Sequence, residues 1–266
     1  MMRPDNDDLM KLTGSALREA GRIILSSSVA RDQIEKKGEK NYVTEIDYRV
    51  QEYLAIRLEN IIPGSHLIAE ESEKNLFSVD SPSWILDPVD GTTNLIYDLR
   101  FSAISLALFL EGKPAYGFIY NPYLDELFQA KAGVGAWLEQ EQIKVAETSE
   151  ISQALIGFGT NPYDRENSDQ TFAMIRDVFT ASMEIRRSGS AALDMAYVAC
   201  GRLNGFFEQM LQPWDFAAGS ILVEAAGGIV SGWDGSSLKN LLEPSGIIAA
   251  SANIFQPLNQ ILDKHR

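Results

Sequence analysis

The stretch WILDPVDGTTN, residues 84–94, joins an apolar run to two aspartates that bracket a proline. The apolar residues predict a buried strand, and Pro88 is expected to turn the chain where that strand ends. This arrangement places Asp87 and Asp90 close together, with the Val89 carbonyl between them. Two neighbouring carboxylates repel each other, so a divalent cation is the simplest partner that keeps both ionised. Mg²⁺, a hard cation that prefers oxygen, suits these ligands best.

The residues that follow, Gly91-Thr92-Thr93, are expected to open a helix. Free backbone N–H groups at a helix start bind anions, and a glycine there allows close approach. Metal ligands beside an anion site predict phosphoryl chemistry. The spacing is Asp-x-x-Asp rather than the Asp-x-Asp of an aspartyl-phosphate enzyme, which favours water as the nucleophile. Asp-Pro-x-Asp-Gly alone is also a common turn composition.

Three further acids follow apolar runs at the predicted ends of elements. Glu70 ends the stretch HLIA, Asp215 lies at the start of a helix, and Asp47 begins another helix. Each has an ordinary alternative role, because Asp47 and Asp215 are good helix N-caps and Glu70-Glu71 is typical of a solvated pair. The recurrence of acids at element ends favours one shared site.

Composition restricts the class of protein. Lys plus Arg is 23 against 37 for Asp plus Glu, a net charge of −14, which argues against nucleic acid as a partner. Only two histidines occur, His66 and His265. So few histidines argue against a Ser-His-Asp triad or a histidine-ligated zinc site. Gly133-Val134-Gly135 lacks the third glycine of a dinucleotide fingerprint, which favours a turn.

The same composition bears on location. Cys200 is the only cysteine, so there is no intrachain disulfide, and a reducing compartment is expected. The N-terminal residues are acidic where a signal peptide is basic, and no run of about 18 apolar residues occurs. A cytoplasmic protein without a membrane span is the expectation.

Hydrophobic periodicity predicts helices and strands in mixed order with a strand-rich middle. The predicted elements are a helix over 47–61, a strand over 66–70, strands with turns at 112–114 and 121–122, and helices over 190–201 and 215–226. This is an α+β layered sandwich. We expect one domain over residues 1–266, with halves of about 1–145 and 146–266 that meet near residues 139–150.

Several motifs together resemble the inositol monophosphatase family, and the resemblance covers nearly the whole chain. They are VTEID at 43–47, EES at 70–72, DPVDGTTN at 87–94 and WDFAAGSILVEAAGG at 214–228. The resemblance implies a layered αβαβα sandwich of the inositol monophosphatase and fructose-1,6-bisphosphatase type. It also implies a homodimer, inhibition by lithium and a requirement for Mg²⁺, with two to three ions per subunit.

Roles of individual acids follow from the same resemblance. Glu70, Asp87 and the Val89 carbonyl are expected to bind the first metal ion. Asp87, Asp90 and Asp215 are expected to bind the second, and Glu70 also faces a weaker third ion.

The resemblance assigns catalytic roles to Asp47, Glu70 and Thr92. Thr92, oriented by Asp47, is expected to position and deprotonate the attacking water. The N–H groups of Gly91 and Thr92 are expected to bind the phosphate. The expected substrate contacts are Asp90, Gly91, Thr92, Gly189, Ser190, Ala191, Glu208 and Asp215.

Other positions are more specific to this chain. Glu208 lies where the family places a glutamate that binds inositol hydroxyls, with a buried turn glutamate as the alternative. Lys36 or Lys37 resembles a lysine that approaches the metal site, although a solvated charge run is the simpler interpretation. Tyr97 and Arg100 replace the residues that bacterial members carry after Asn94, which affects the pocket rim or a subunit contact.

The predicted activity is therefore that of a Mg²⁺-dependent phosphoric monoester hydrolase acting on myo-inositol 1-phosphate or a similar polyol phosphate. Fructose-1,6-bisphosphatase and 3′-phosphonucleotide phosphatase are alternatives that use the same metal chemistry. A non-catalytic interaction protein is the alternative from a different class.

Overall fold

The computed structural model describes residues 6–26, 35–37, 41–43, 45–72, 77–160, 165–238 and 240–266. The helices in these ranges are α1 Asn6–Ser26, α2 Glu45–Ile61, α3 Thr92–Ile96, α4 Ser168–Ala181, α5 Ala191–Ala199, α6 Pro213–Ala225 and α7 Ala252–Leu262. Short 3-10 turns lie at Ile151–Gln153 and Asp263–His265.

Most strands of the described residues belong to two sheets. The strands are β1 Glu35–Lys37, β2 Asn41–Val43, β3 His66–Ala69, β4 Ser83–Asp90, β5 Ala103–Leu110, β6 Lys113–Asn121, β7 Glu126–Lys131, β8 Gly135–Leu138, β9 Glu141–Ile143, β10 Leu155–Phe158, β11 Glu184–Arg186, β12 Gly205–Leu211, β13 Ile229–Gly232 and β14 Ser245–Ala250. The larger sheet has the order β3-β4-β5-β6-β7-β8-β9, and the smaller has the order β11-β10-β12-β14-β13. Strands β1 and β2 form a separate antiparallel pair.

The sheets and helices stack in five layers. Helices α1 and α2 cover one face of the larger sheet, and α5 and α6 lie between the two sheets. Helices α4 and α7 cover the outer face of the smaller sheet. The fold is therefore the αβαβα sandwich that the sequence predicts.

The residue patterns explain these layers. Helix α1 buries Leu9, Leu17 and Ile24 on one side, which is the spacing of an amphipathic surface helix. Helix α6 buries every residue from 216 to 223, because a helix between two sheets has no solvent face. Strand β4 is buried along its whole length for a similar reason, since it pairs with β3 and β5 and has helices on both faces.

The predicted elements match these ranges with differences of up to two residues at their starts and ends, and the turn predicted at 112–114 is shorter because β6 begins at Lys113. Helix α2 begins at Glu45 rather than Asp47, so Asp47 lies inside the first turn and does not cap the helix. Gly133, with φ of 70°, lies in the turn between β7 and β8, as predicted. The single domain and its division near residues 139–150 stay predictions. Among the described residues, no helix combines the length and apolar character that crossing a membrane requires.

Candidate active site

Strand β4 carries an irregularity between the two aspartates. Asp87 pairs with Ser105 and Asp90 pairs with Ala103, so three steps along β4 match two steps along β5. The extra residue is a β-bulge, and Pro88 within it has no N–H for the ladder. Residues three apart in a regular strand point to opposite faces, and the bulge brings both carboxylates to one side. The expectation that Pro88 turns the chain out of the strand was wrong, because β4 continues to Asp90.

Carboxylates from distant parts of the chain meet beside this bulge. Ligand oxygens of Asp87, Asp90 and Asp215 all lie within 4.8 Å of one another. The pKa of Asp87 is raised well above its usual range, mainly by burial and next by repulsion from Glu70 and Asp90. The pKa of Asp215 is also raised well above its usual range, mainly by burial and next by repulsion from Asp90 and Glu70. Glu70 therefore faces the same cluster, and four predicted metal ligands come together.

The chemistry of this cluster fits a hard divalent cation. Its donors are carboxylate oxygens, which Mg²⁺ and Ca²⁺ prefer, and their raised pKa values show a shortage of positive charge. The Val89 carbonyl lies next to the cluster, where it accepts a hydrogen bond from the Thr92 hydroxyl at 3.1 Å. The residues that could hold an ion are therefore Glu70, Asp87, Val89, Asp90 and Asp215. The ion's identity and number stay predictions.

Asp215 is fixed by the start of α6. Its carboxylate accepts the N–H of Gln212 at 2.7 Å, as part of a capping box that opens with Pro213 in the first helical turn. Ser105, on β5, donates its hydroxyl to the Trp214 carbonyl at 3.0 Å, which ties this helix start to the larger sheet. Asp215 is therefore the third residue of the helix rather than its N-cap. One of its oxygens holds the helix while the group faces the acidic cluster.

Asp90 is held from the other half of the chain. The Ser190 hydroxyl donates to its carboxylate, and the Ala192 N–H does so at 2.8 Å. Burial raises the pKa of Asp90 to about 6, against the lowering effect of Ser190, Ala192 and Ala191. The predicted substrate segment around Ser190 thus contacts a predicted metal ligand directly.

Asp47 and Thr92 form the contact that the sequence predicts. Asp47 is 1% exposed in the first turn of α2, and the Thr92 hydroxyl lies 3.3 Å from its carboxylate. The same hydroxyl lies 3.1 Å from the Val89 carbonyl. Thr92 therefore stands between a buried carboxylate and the acidic cluster.

Gly91 occupies the turn that leads into α3. Its φ of 91° is in the left-handed region, which favours glycine. A Cβ at this position would lie 3.1 Å from the Phe101 carbonyl oxygen and 3.2 Å from that of Gly189. Gly91 is therefore required by both backbone conformation and space. Phosphate binding by the N–H groups of Gly91 and Thr92 stays a prediction.

Glu208 approaches the cluster from β12. The pKa of Glu208 is raised well above its usual range. Burial is the largest cause, and repulsion from Asp215 and Asp90 adds to it. A Cβ on Gly159 would lie 1.9 Å from a Glu208 carboxylate oxygen, so the neighbouring backbone encloses this side chain. The contact of Glu208 with substrate hydroxyls stays a prediction.

A buried acid near the site was not predicted. Asp194 is 3% exposed on α5, and Ser188 donates its hydroxyl to it at 2.6 Å. Burial raises the pKa of Asp194 to about 8, with the Ser188 hydrogen bond opposing the shift. Its signal in the sequence is a single acid within the otherwise uncharged run SAALDMAYVAC. Asp194 fixes the segment that leads to Ser190.

The residues specific to this chain lie outside the cluster. Tyr97 and Arg100 are exposed, and Arg100 pairs with Asp98 at 3.3 Å. The side chains of Lys36 and Lys37 lie outside the part of the chain that the structure describes. Their predicted approach to the metal site is therefore not tested.

Comparison with known proteins identifies the family. The model of the inositol monophosphatase family matches residues 5–265. The chain belongs to the inositol monophosphatase family. This family consists of phosphatases that act on phosphoric monoesters, which agrees with a cluster of carboxylates beside a helix start.

Individual relatives are similar over almost their full length. An inositol-1-monophosphatase of Synechocystis sp. is 37% identical over 256 residues, which are 95% of this chain and 88% of that protein. The Nus factor SuhB of Salmonella typhimurium is 34% identical over 94% of both chains. The solved structure of the extragenic suppressor protein suhB from Bartonella henselae has a TM-score of 0.89 at 34% identity, covering 97% of this chain and 99% of that one.

Proposed function

We propose that this member of the inositol monophosphatase family is a Mg²⁺-dependent phosphomonoesterase that hydrolyses myo-inositol 1-phosphate or a similar polyol phosphate. The convergence of Asp87, Asp90 and Asp215 within 4.8 Å is the observation that carries the proposal. The relative named inositol-1-monophosphatase supports the choice of substrate.

Different residues of the chain transfer the proton and bind the phosphate. Asp47 is the proton acceptor, and the Thr92 hydroxyl at 3.3 Å relays the proton from the attacking water. Gly91 and Thr92 direct backbone N–H groups at the phosphate. Bound Mg²⁺ supplies a lowered pKa for the water and neutralises charge on the phosphate.

In this proposal, Glu208 and the segment from Gly189 to Ala191 border the polyol part of the substrate. A carboxylate accepts hydrogen bonds from hydroxyl groups, so Glu208 suits a polyol. Ser190 and Ala192 hold Asp90 at the same time. This arrangement couples substrate orientation to the metal ligands.

Phosphate release from a panel of esters tests the proposal. We expect Mg²⁺-dependent turnover of myo-inositol 1-phosphate, its loss in Asp90→Asn with the fold retained, and full activity in Asp177→Asn, a half-buried control on α4 outside the acidic cluster. Full turnover by Asp90→Asn would contradict the mechanism. A preference of more than about tenfold in kcat/KM for fructose 1,6-bisphosphate or a 3′-phosphonucleotide would overturn the substrate choice.

The interaction-protein alternative has one supporting observation, the name Nus factor carried by similar chains. Absence of turnover on every ester, in a folded protein saturated with Mg²⁺, would favour this alternative. The homodimer, inhibition by lithium and a cytoplasmic location belong to the same proposal, and sedimentation and inhibition measurements check the first two.

A further inference from the structure

The side chain of Asn94 joins three separate segments of backbone. Asn94 lies in α3 and is 4% exposed. Its Nδ2 donates to the Phe101 carbonyl at 2.7 Å and to the Ser188 carbonyl at 2.9 Å. A side-chain amide has two N–H groups, so both donors are used. Asn94 thereby ties α3 to the residues before β5 and to the residues before α5.

Two of these segments carry predicted site residues. Helix α3 begins with Thr92, which contacts Asp47. Ser188 leads directly into Gly189 and Ser190, and the Ser190 hydroxyl donates to Asp90. The amide of Asn94 therefore links the part of the site that handles water and phosphate to the part that borders the substrate.

The surrounding space leaves this link little freedom. Gly91 and Gly189 both have positive φ values, 91° and 83°. A Cβ on Gly189 would lie 3.2 Å from both terminal atoms of the Asn94 amide. A Cβ on Gly91 would lie 3.2 Å from the Gly189 carbonyl oxygen. Because backbone fills the space on both sides, the amide fixes the separation of the two segments.

We propose that Asn94 is a positioning residue that sets the distance between Thr92 and the substrate-bordering segment 189–191. This inference rests on the proposed phosphatase function. Loss of the two donors leaves buried carbonyl groups unpaired, and the segment from Ser188 onward moves away. The bound ester then loses contacts, while Asp47, Thr92 and Asp87 keep their own supports.

Two substitutions and one control isolate the effect. Asn94→Asp keeps the shape but replaces the donors with an acceptor that repels both carbonyls, and Asn94→Ala removes the donors without adding charge. Asn121→Asp is the control, because Asn121 is fully buried and its Oδ1 accepts the Tyr123 N–H at 3.0 Å. Its Nδ2 has no partner among the described residues. The control therefore buries the same charge and loses no hydrogen bond.

Steady-state kinetics on myo-inositol 1-phosphate with saturating Mg²⁺ give the first result. We expect both Asn94 variants to raise KM by about tenfold or more, and any fall in kcat per folded enzyme to be smaller than the rise in KM, because Ser190 also supports Asp90. Asn121→Asp is expected to leave KM unchanged. A merely structural role reduces the folded fraction, which lowers kcat and leaves KM alone. Unchanged KM in Asn94→Ala would overturn the proposal.

Hydrogen exchange separates this proposal from the proposed function. If the wild type hydrolyses no ester, the proposed function fails, and exchange still tests the positioning role. We expect the amides of residues 188–192 to exchange faster in Asn94→Ala than in the wild type or in Asn121→Asp. Equal exchange in all three proteins would overturn the role of Asn94 whether or not the enzyme is active.

Discussion

The Thr92 hydroxyl lies 3.3 Å from the carboxylate of Asp47, although 45 residues separate them in the chain. Asp47 is buried in the first turn of α2, and Thr92 begins α3. The pair therefore requires two helix starts to meet near the C-terminal end of β4. A buried carboxylate next to a hydroxyl at an acidic cluster is placed to accept a proton.

Replacing Asp47 with asparagine tests this role. Asp47→Asn keeps the shape and can still bond to Thr92, but it cannot accept a proton. We expect kcat to fall by about 10²-fold, the lower range for loss of a general base, with little change in KM. Steady-state phosphate release measures both parameters.

The neighbouring Glu45 supplies a matched control. It is an exposed acid in the same helical turn, so Glu45→Gln removes the same charge without touching Thr92. Wild-type kcat is expected for this variant. Equal loss in both variants would mean that helix charge, rather than proton transfer, explains the effect.

Metal binding is expected to change stability through Asp87. Burial, together with repulsion from the neighbouring carboxylates, raises the pKa of Asp87, so Asp87→Asn is expected to raise the melting temperature of the metal-free protein. The wild type is expected to gain about 2.7 kcal/mol at Mg²⁺ concentrations 100-fold above Kd. The variant is expected to lose most of that gain. Thermal melts in chelator and in Mg²⁺ measure this difference.

Asp177 is the reference position for the melts. It lies on α4 and pairs with His265 at 3.0 Å, on the outer face of the smaller sheet. Asp177→Asn is expected to respond to Mg²⁺ as the wild type does. A wild-type melting temperature that is independent of Mg²⁺ would refute the metal site itself.

Asp194 predicts how stability depends on pH. Its pKa is raised by burial to about 8, whereas an aspartate in the unfolded chain has a pKa of about 3.9. The folded protein therefore holds a proton that the unfolded chain releases. The contribution of this bound proton to the free energy of unfolding is complete below about pH 4 and is lost as pH rises to about 8.

Asp194→Asn removes this titration and keeps an acceptor for Ser188. We expect the metal-free variant to exceed the wild type in stability near pH 8 by at least ~1 kcal/mol, or about 2–4 °C in melting temperature. The two proteins are expected to converge toward about pH 4. Parallel curves across this range would show that Asp194 is ionised in the folded protein.

A side chain at Gly91 would meet both an unfavourable backbone conformation and close neighbouring atoms, whereas a side chain at Gly64 would meet only the unfavourable backbone conformation. Both have positive φ values, 91° and 77°, but a Cβ on Gly64 would meet nothing within 4 Å. Gly91→Ala and Gly64→Ala are each expected to lose about 1 kcal/mol from backbone strain. Only Gly91→Ala is expected to lose further stability and most of its kcat. Comparable kcat in the two variants would show that the turn tolerates displacement.

The acidic residues that the structure brings together were predictable because they recur near the ends of predicted elements. The strand over residues 84–86 and the helix starts near Asp47 and Asp215 place acids at element ends, and a shared purpose is the simplest reason for that recurrence. The layered fold followed from the mixed order of helices and strands and from the family resemblance. Local pattern therefore predicted most of the acids that the structure brings together.

The supports of the site were not predictable, because they depend on contacts between distant segments. The hydrogen bonds from Ser190 and Ala192 to Asp90 span about a hundred residues, and no periodicity signals them. The sequence did not predict that β4 continues through Pro88, because a proline within an apolar run usually indicates the end of a strand. The two carbonyl bonds of Asn94 depend on the same long-range packing.

The bulge in β4 has a consequence for how the chain can vary. A regular strand of the same composition would send Asp87 and Asp90 to opposite sides. Loss of the bulge at the same three-residue separation would therefore turn one acid away from the cluster, into the core. The length of the chain between the two acids and the presence of the bulge are therefore expected to vary together, because changing one alone separates the carboxylates.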